Sequence, residues 1–353
     1  QQPDCMQHVD ERRFYLPDAE EGHRETLVSS SVDAQPLQCL RVPGPTWLTH
    51  LAAASTGGVF IFATFYWWTP AIISGCLALA TILTWVWTGT AWIPEKETKD
   101  IGLGKRLPLY TSGPSAVGWW AMFITMLGDI TAFMALVFGY FFYWTVHEDF
   151  PPADLPGPGL IWPLIAAALL LGSWGLTVAA RSINKRTPAE PKRRPIPLRR
   201  NGDLESAAAD PEQLVPEENN PAATTNSGHR AAGRRNRTAS NSNTPAWPLY
   251  ACLLGAVLLA IAGFVALAAG PLTSCMDSTL HAYPATVLVL VLWTGVHTAV
   301  GVIMQLYCLA RRACGLMTHR YDADIVNVTL YWHFLALTAA ITVLVIAGFP
   351  LVA

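Results

Sequence analysis

The sequence predicts an all-α polytopic membrane protein with seven transmembrane helices, its N-terminus inside and its C-terminus outside. Three observations carry this. Of 353 residues only 14% are charged and 52% are apolar, where an ordinary soluble domain has roughly a quarter charged. The apolar residues form long uncharged runs with many of the 14 Trp at their ends, each run near the roughly 20 residues that cross a bilayer. Lys and Arg segregate to alternate loops, as the positive-inside rule requires. A soluble enzyme is excluded by the first two observations. A formal net charge of −2, from 23 Lys+Arg against 25 Asp+Glu, gives no basis for nucleic-acid binding.

Apolar windows place the spans at about Trp47 to Trp68, Ala71 to Ile93, Val117 to Val146, Leu160 to Ala180, Trp247 to Pro271, Ala282 to Ala310 and Ile325 to Val352. The chain divides accordingly into a polar, linker-like cytoplasmic segment (1–46), a transmembrane hairpin (47–93), a cytoplasmic loop (94–116), helices three and four (117–180), a long cytoplasmic loop (181–246) and helices five to seven (247–353). The hairpin turns at Thr69-Pro70, where proline opens a helix but cannot continue one. The 181–246 loop begins with a Pro/Lys/Arg stretch and has almost no large apolar residue, so it is expected to be disordered. Its basic start serves as a solvated topology anchor or binds anionic lipid head groups. No signal-peptide pattern precedes the first span, and because the chain begins with Gln1 its true start is expected upstream.

The cations test the helix count. Arg12, Arg13, Arg24 and Arg41 lie in the N-terminal segment, and Lys96, Lys99, Lys105 and Arg106 in the 94–116 loop. Arg311, Arg312 and Arg320 precede the last span, and the remaining twelve, from Arg181 to Arg237, fall in the long loop. The intervening loops hold only Glu148, Asp149, Asp154 and Asp277. A miscounted helix would scramble this pattern.

Ionisable residues inside a span cost roughly 2.5 to 3.5 kcal/mol on insertion scales and need a partner. Asp129 is the one carboxylate within a predicted span. His297 and His333 also lie within spans, while His50 and His281 sit near span ends. Asp129 and His297 each lie about 12 residues from the inner ends of their spans, roughly 18 Å deep at 1.5 Å per residue. They are expected to face each other and hydrogen-bond within the bundle, as a static polar clasp between the two helices or as a pair sharing one proton rather than holding separated charges. Thr294, His297, Thr298, Gly301 and Gln305 recur every three or four residues, on one helix face that must meet protein. This face makes interhelical hydrogen bonds or serves a ligand or proton-transfer role. Ala262, Ala266 and Gly270 suggest close packing of the fifth helix.

Seven cysteines are scattered singly, with no C-x-x-C pair, and two buried histidines are too few for a haem-copper centre. No P-loop, nucleophile elbow or H-E-x-x-H is present. No catalytic residue, metal site or cofactor site is therefore expected in this chain.

Several motifs resemble subunit III of haem-copper cytochrome c oxidases of the aa3 type. They are Gly118-Trp-Trp, Gly128-Asp129 and Phe138-Gly-Tyr-Phe-Phe-Tyr-Trp144 in the third span, His297-Thr-Ala-Val-Gly301 in the sixth, and Tyr331-Trp-His-Phe334 in the seventh. The stretch around Arg12-Arg-Phe-Tyr-Leu-Pro17 is similar to the segment joining subunit I to subunit III in bacterial fused polypeptides. The resemblance implies a V of two helices and five helices that holds phospholipid, binds subunits I and II, and carries no redox centre. Haem a, haem a3 and copper then belong to the partner subunits. It implies a role in aerobic respiration, supporting proton uptake and translocation at the end of an electron transport chain in a bacterial plasma membrane. Asp129 takes the place of the family's proton-linked carboxylate, usually Glu, with His297, Tyr331, Trp332 and His333 as interhelical partners. Val326 and Asn327 stand where the family commonly has Glu, and the 181–246 loop is longer than the family's. From a different class, a small-solute or proton transporter would use Asp129 as its carrier site, and a membrane scaffold would need no buried acid.

Overall fold

The computed structural model describes residues 24–42, 46–90, 98–101, 105–153, 157–186 and 247–351. The Arg12 to Pro17 stretch, Pro94, Asp154 and the 187–246 part of the long loop lie outside the described residues. Seven apolar helices dominate: α1 (Leu48–Thr64), α2 (Trp68–Thr90), α3 (Val117–Val146), α4 (Ile161–Arg186), α5 (Trp247–Thr273), α6 (Ala282–Ala313) and α7 (Ala323–Val343). Six are long and apolar enough to cross a bilayer, and α1, at 17 residues, is shorter. The chain is a multi-pass membrane protein.

The helix ends differ from the expected spans for local reasons. Helix α1 stops at Thr64 rather than Trp68 because the chain turns through Phe65–Trp67, with Tyr66 at φ 60°. Pro70 then lies in the first turn of α2, where its missing N–H would be unpaired anyway. At the other end of the molecule, α4 runs to Arg186 and α6 to Ala313. Lys185, Arg186, Arg311 and Arg312, assigned above to loops, thus occupy last turns, where cations complement the helix dipole. Beyond α7 the chain passes through a π turn (Leu344–Gly348) into a 3₁₀ turn (Phe349–Leu351), as Pro350 cannot fit beneath the Ile346 carbonyl.

Helices α1 and α2 pack on each other through the small residues Ala52, Ser55, Ala71, Ala78 and Thr81. A Cβ on Gly58 would stand 2.9 Å from Ser74 Oγ, so glycine sets their approach. Neither helix packs along the other five. An edge-on contact of the Trp87 ring with Tyr307 on α6, centroids 5.7 Å apart, touches that group. The remaining helices form one bundle, with Phe133, Tyr140, Leu267, Tyr283 and Leu290 at one end of its core and Met126, Leu253, Met317, Trp332 and Leu335 at the other. Helices α4 and α5 meet most intimately, with Leu170 against Gly263. The close-packed stripe of α5 is Ala256, Ala260, Gly263, Ala266 and Gly270. Ala262, expected in it, lies one residue off that face and is exposed.

The all-α expectation is corrected by two β-hairpins in segments read as linker and loop. Strand β1 (Arg24–Ser29) pairs antiparallel with β2 (Pro36–Val42), and β3 (Thr98–Asp100) with β4 (Arg106–Pro108). Strands β3 and β4, at three residues each, are too short to show a period. The hairpins pack through β2 and β4, enclosing Cys39, Leu107 and Leu109. Glu25 and Lys99 form an ion pair with side chains only 1% and 10% exposed, and Thr111 donates to Gln38 Oε1 at 2.8 Å.

Candidate functional site

On α3 the buried residues Met126, Phe133, Val137 and Tyr140 mark the face turned into the bundle. Asp129 lies three residues from one and four from the next, at the edge of that face. Its side chain is 37% exposed, and its Oδ2 stands 3.7 Å from Nε2 of His297 on α6. The two groups face each other at ion-pair distance, but the hydrogen bond expected between them is not formed, 3.7 Å being too long for one. Asp129 lies between α6, which carries His297, and the partly exposed margin of the bundle. Its other side opens to the surroundings of the bundle, which in a bilayer is lipid.

The His297 ring is held on every other side. Its Nδ1 lies 2.9 Å from the Trp293 carbonyl, and a carbonyl only accepts, so Nδ1 carries the hydrogen and Nε2 is turned to Asp129. Trp293 stacks beside the ring with centroids 4.3 Å apart, and Phe334 of α7 meets it edge-on at 5.5 Å. Tyr331 on α7 donates its hydroxyl to the His297 carbonyl at 2.9 Å.

The other residues singled out from sequence fall elsewhere. Trp332 is fully buried against Gly301 of α6, one turn along that helix from His297. His333 is exposed beside Trp174 of α4, ring centroids 5.7 Å apart. Its Nδ1 is 2.7 Å from the Thr329 carbonyl and 3.3 Å from Trp174 Nε1. One nitrogen cannot both donate and accept here, and the shorter contact makes it a donor to Thr329. Thr294, Thr298, Gly301 and Gln305 all point inward, whereas His297 sits at the margin of their face.

A second membrane-helix carboxylate corrects the reading of Asp129 as the only one. Because α7 begins at Ala323, Asp324 lies in its first turn, and Arg311 Nε of α6 pairs with its Oδ2 at 3.0 Å. Arg311 also contacts the Tyr307 hydroxyl at 3.3 Å. Nearby, Tyr110 accepts the Ala323 N–H at 2.6 Å and meets the Tyr321 ring edge-on at 4.8 Å, tying the β-hairpins to the start of α7. Burial pushes the Tyr110 phenol well above its ordinary range, with Asp324 and Asp322 adding to the rise against the opposing Ala323 hydrogen bond. A sequence signal for the ion pair existed in the adjacent Asp322 and Asp324 opposite Arg311-Arg312, but charges at a span boundary read equally well as loop.

Among the described residues no three His, Cys, Asp or Glu side chains gather as a metal site. No family model matches the chain, and no curated protein matches it.

Proposed function

We propose that the chain is the non-redox subunit III, or subunit III domain, of a proton-pumping haem-copper cytochrome c oxidase in a bacterial plasma membrane. The observation that carries this reading is the meeting of Gly128-Asp129 with His297 and Tyr331. Three motifs of the resemblance, far apart in sequence, meet in one polar cluster at the bundle edge. That the two-helix pair does not pack along the five-helix bundle is in keeping with it, as such a subunit holds phospholipid between its two groups of helices. In this reading seven helices span the membrane with the Lys/Arg-bearing end inside. Subunits I and II hold haem a, haem a3 and copper, and this chain supports proton uptake and the durability of subunit I during turnover.

The test is purification of the tagged chain from its native membrane. Co-purification of haem a and copper, with the oxidase spectrum lost when the partner is stripped, is the expected result. The transporter reading instead expects the chain alone, in proteoliposomes, to carry a solute or protons. Asp129 at the outer edge of the bundle does not suit it, because a carrier site lines an internal cavity.

A further inference from the structure

Gln305 on α6 is fully buried on the face that meets α4. Its Nε2 donates to Thr177 Oγ1 at 2.8 Å and to Ser173 Oγ at 3.3 Å. Both hydroxyls have already given up their hydrogens, Ser173 to the Ala256 carbonyl at 2.7 Å and Thr177 to the Ser173 carbonyl at 2.9 Å. They can only accept, which fixes the orientation of the Gln305 amide. Its Oε1 therefore points away from them, buried and without a hydrogen-bond partner from the protein.

One turn earlier on α6, the indole of Trp332 lies against Gly301. A Cβ at Gly301 would stand 3.1 Å from Cζ2 and 3.3 Å from Nε1. Trp332 is also fully buried, and its Nε1–H likewise has no protein acceptor. Side chains on a helix lean toward its N-terminus, so the Gln305 amide reaches back to the level of Gly301. An acceptor lacking a donor and a donor lacking an acceptor thus share one turn of α6. Leaving either unmade costs about 1 to 3 kcal/mol, and the protein supplies no bond between them.

We propose that this turn is a binding site for one ordered internal water, which accepts from Trp332 Nε1 and donates to Gln305 Oε1. Buried waters are held where polar atoms of both kinds converge. Glycine at 301 leaves room for the indole edge beside the backbone, and the water joins α7 to the Ser173–Thr177–Gln305 cluster of α4 and α6. The site lies inside the bundle, apart from Asp129 and His297 at its margin.

Solid-state NMR on the full chain in lipid bilayers, with ¹⁵N-labelled tryptophan, tests this. The Trp332 indole signal is identified by its loss in Trp332→Phe. It should receive polarisation from water at short mixing times, and that transfer should fall to background in Gln305→Met, which keeps the side chain's length but removes its acceptor. A Trp332 signal with no water transfer overturns the proposal, as does a transfer unchanged in Gln305→Met. Should Gln305→Met not fold, density in an experimental structure of the native chain decides. A peak about 3 Å from both Nε1 and Oε1 is expected, and an empty site or a direct Nε1–Oε1 bond overturns the water.

Discussion

His297 Nε2 stands 3.7 Å from Asp129 Oδ2 while its Nδ1–H is given to the Trp293 carbonyl at 2.9 Å. An isolated carboxylate is costly in an apolar medium, and the facing imidazole is the partner the structure gives it. Hydrophobic carbodiimides attack protonated carboxyl groups in apolar surroundings, and Asp129 opens outward from the bundle. We expect labelling of the native chain at Asp129 and none in Asp129→Asn. The amide keeps the shape of the contact, so the stability should change by no more than about 1 kcal/mol, the scale of polar contacts between helices in membranes. Within an assembled oxidase, unchanged turnover and inactivation rate in Asp129→Asn would mark a static clasp, and faster inactivation a proton-handling role.

The chain expressed alone should bind neither haem nor copper in stoichiometric amount. His297 and His333 each give Nδ1–H to a carbonyl of their own helix, and they face different neighbours, Asp129 and Trp174. Metal analysis and a pyridine haemochrome assay after detergent purification check this, and one-to-one content would refute it.

Breaking the Arg311–Asp324 pair should be the most damaging single change at the basic end. The guanidinium side is 6% exposed and the carboxylate 24%, so Asp324→Asn leaves a nearly buried cation with its partner neutralised. The cost should approach about 3 kcal/mol, the lower end for buried pairs. The double change Arg311→Met with Asp324→Asn should cost less than Arg311→Met alone. Thermal denaturation of the four proteins in one detergent gives the comparison, and additive effects would mean that the two side chains do not couple.

Alkaline pH should loosen the junction between the β-hairpins and α7. The Tyr110 phenol, with an ordinary value of 10.0, is raised by burial, so the folded protein retains its proton where the unfolded chain has lost it. Its contribution is complete below about pH 10 and disappears as pH climbs through the raised value. Hydrogen exchange of the Ala323 amide should therefore accelerate above about pH 10 more than intrinsic chemistry accounts for. In Tyr110→Phe the amide loses its acceptor, at a cost of about 1 to 2 kcal/mol, and the extra alkaline step should vanish.

Much of the architecture was legible because a bilayer imposes a blunt rule. A run such as Val117 to Val146 has no soluble alternative, and its bounds agree with α3. The ends were less legible wherever helix and hydrocarbon boundaries part company. Arg311 and Asp324 sit on helical turns that composition assigns to a loop, so their pairing was invisible. The β-hairpins escaped notice because their core amounts to little more than Cys39, Leu107 and Leu109, brought together from segments some 70 residues apart.

The sequence by itself determined that this chain crosses a membrane several times and which residues in the spans needed partners, since apolar length and the cost of an intramembrane charge depend on composition alone. It also ranked Asp129 and His297 at similar depth, because rise per residue is constant along a helix. Only the tertiary structure decided which way each helix turns about its axis. A rotation of one residue, 100°, separates Gly263 in the α4–α5 contact from Ala262 outside it, and His297 at the bundle margin from Thr298 in its interior. That rotation is set by how facing side chains interlock, as Leu170 does over Gly263 and Trp332 over Gly301, and no single strand of sequence contains both halves of such a fit.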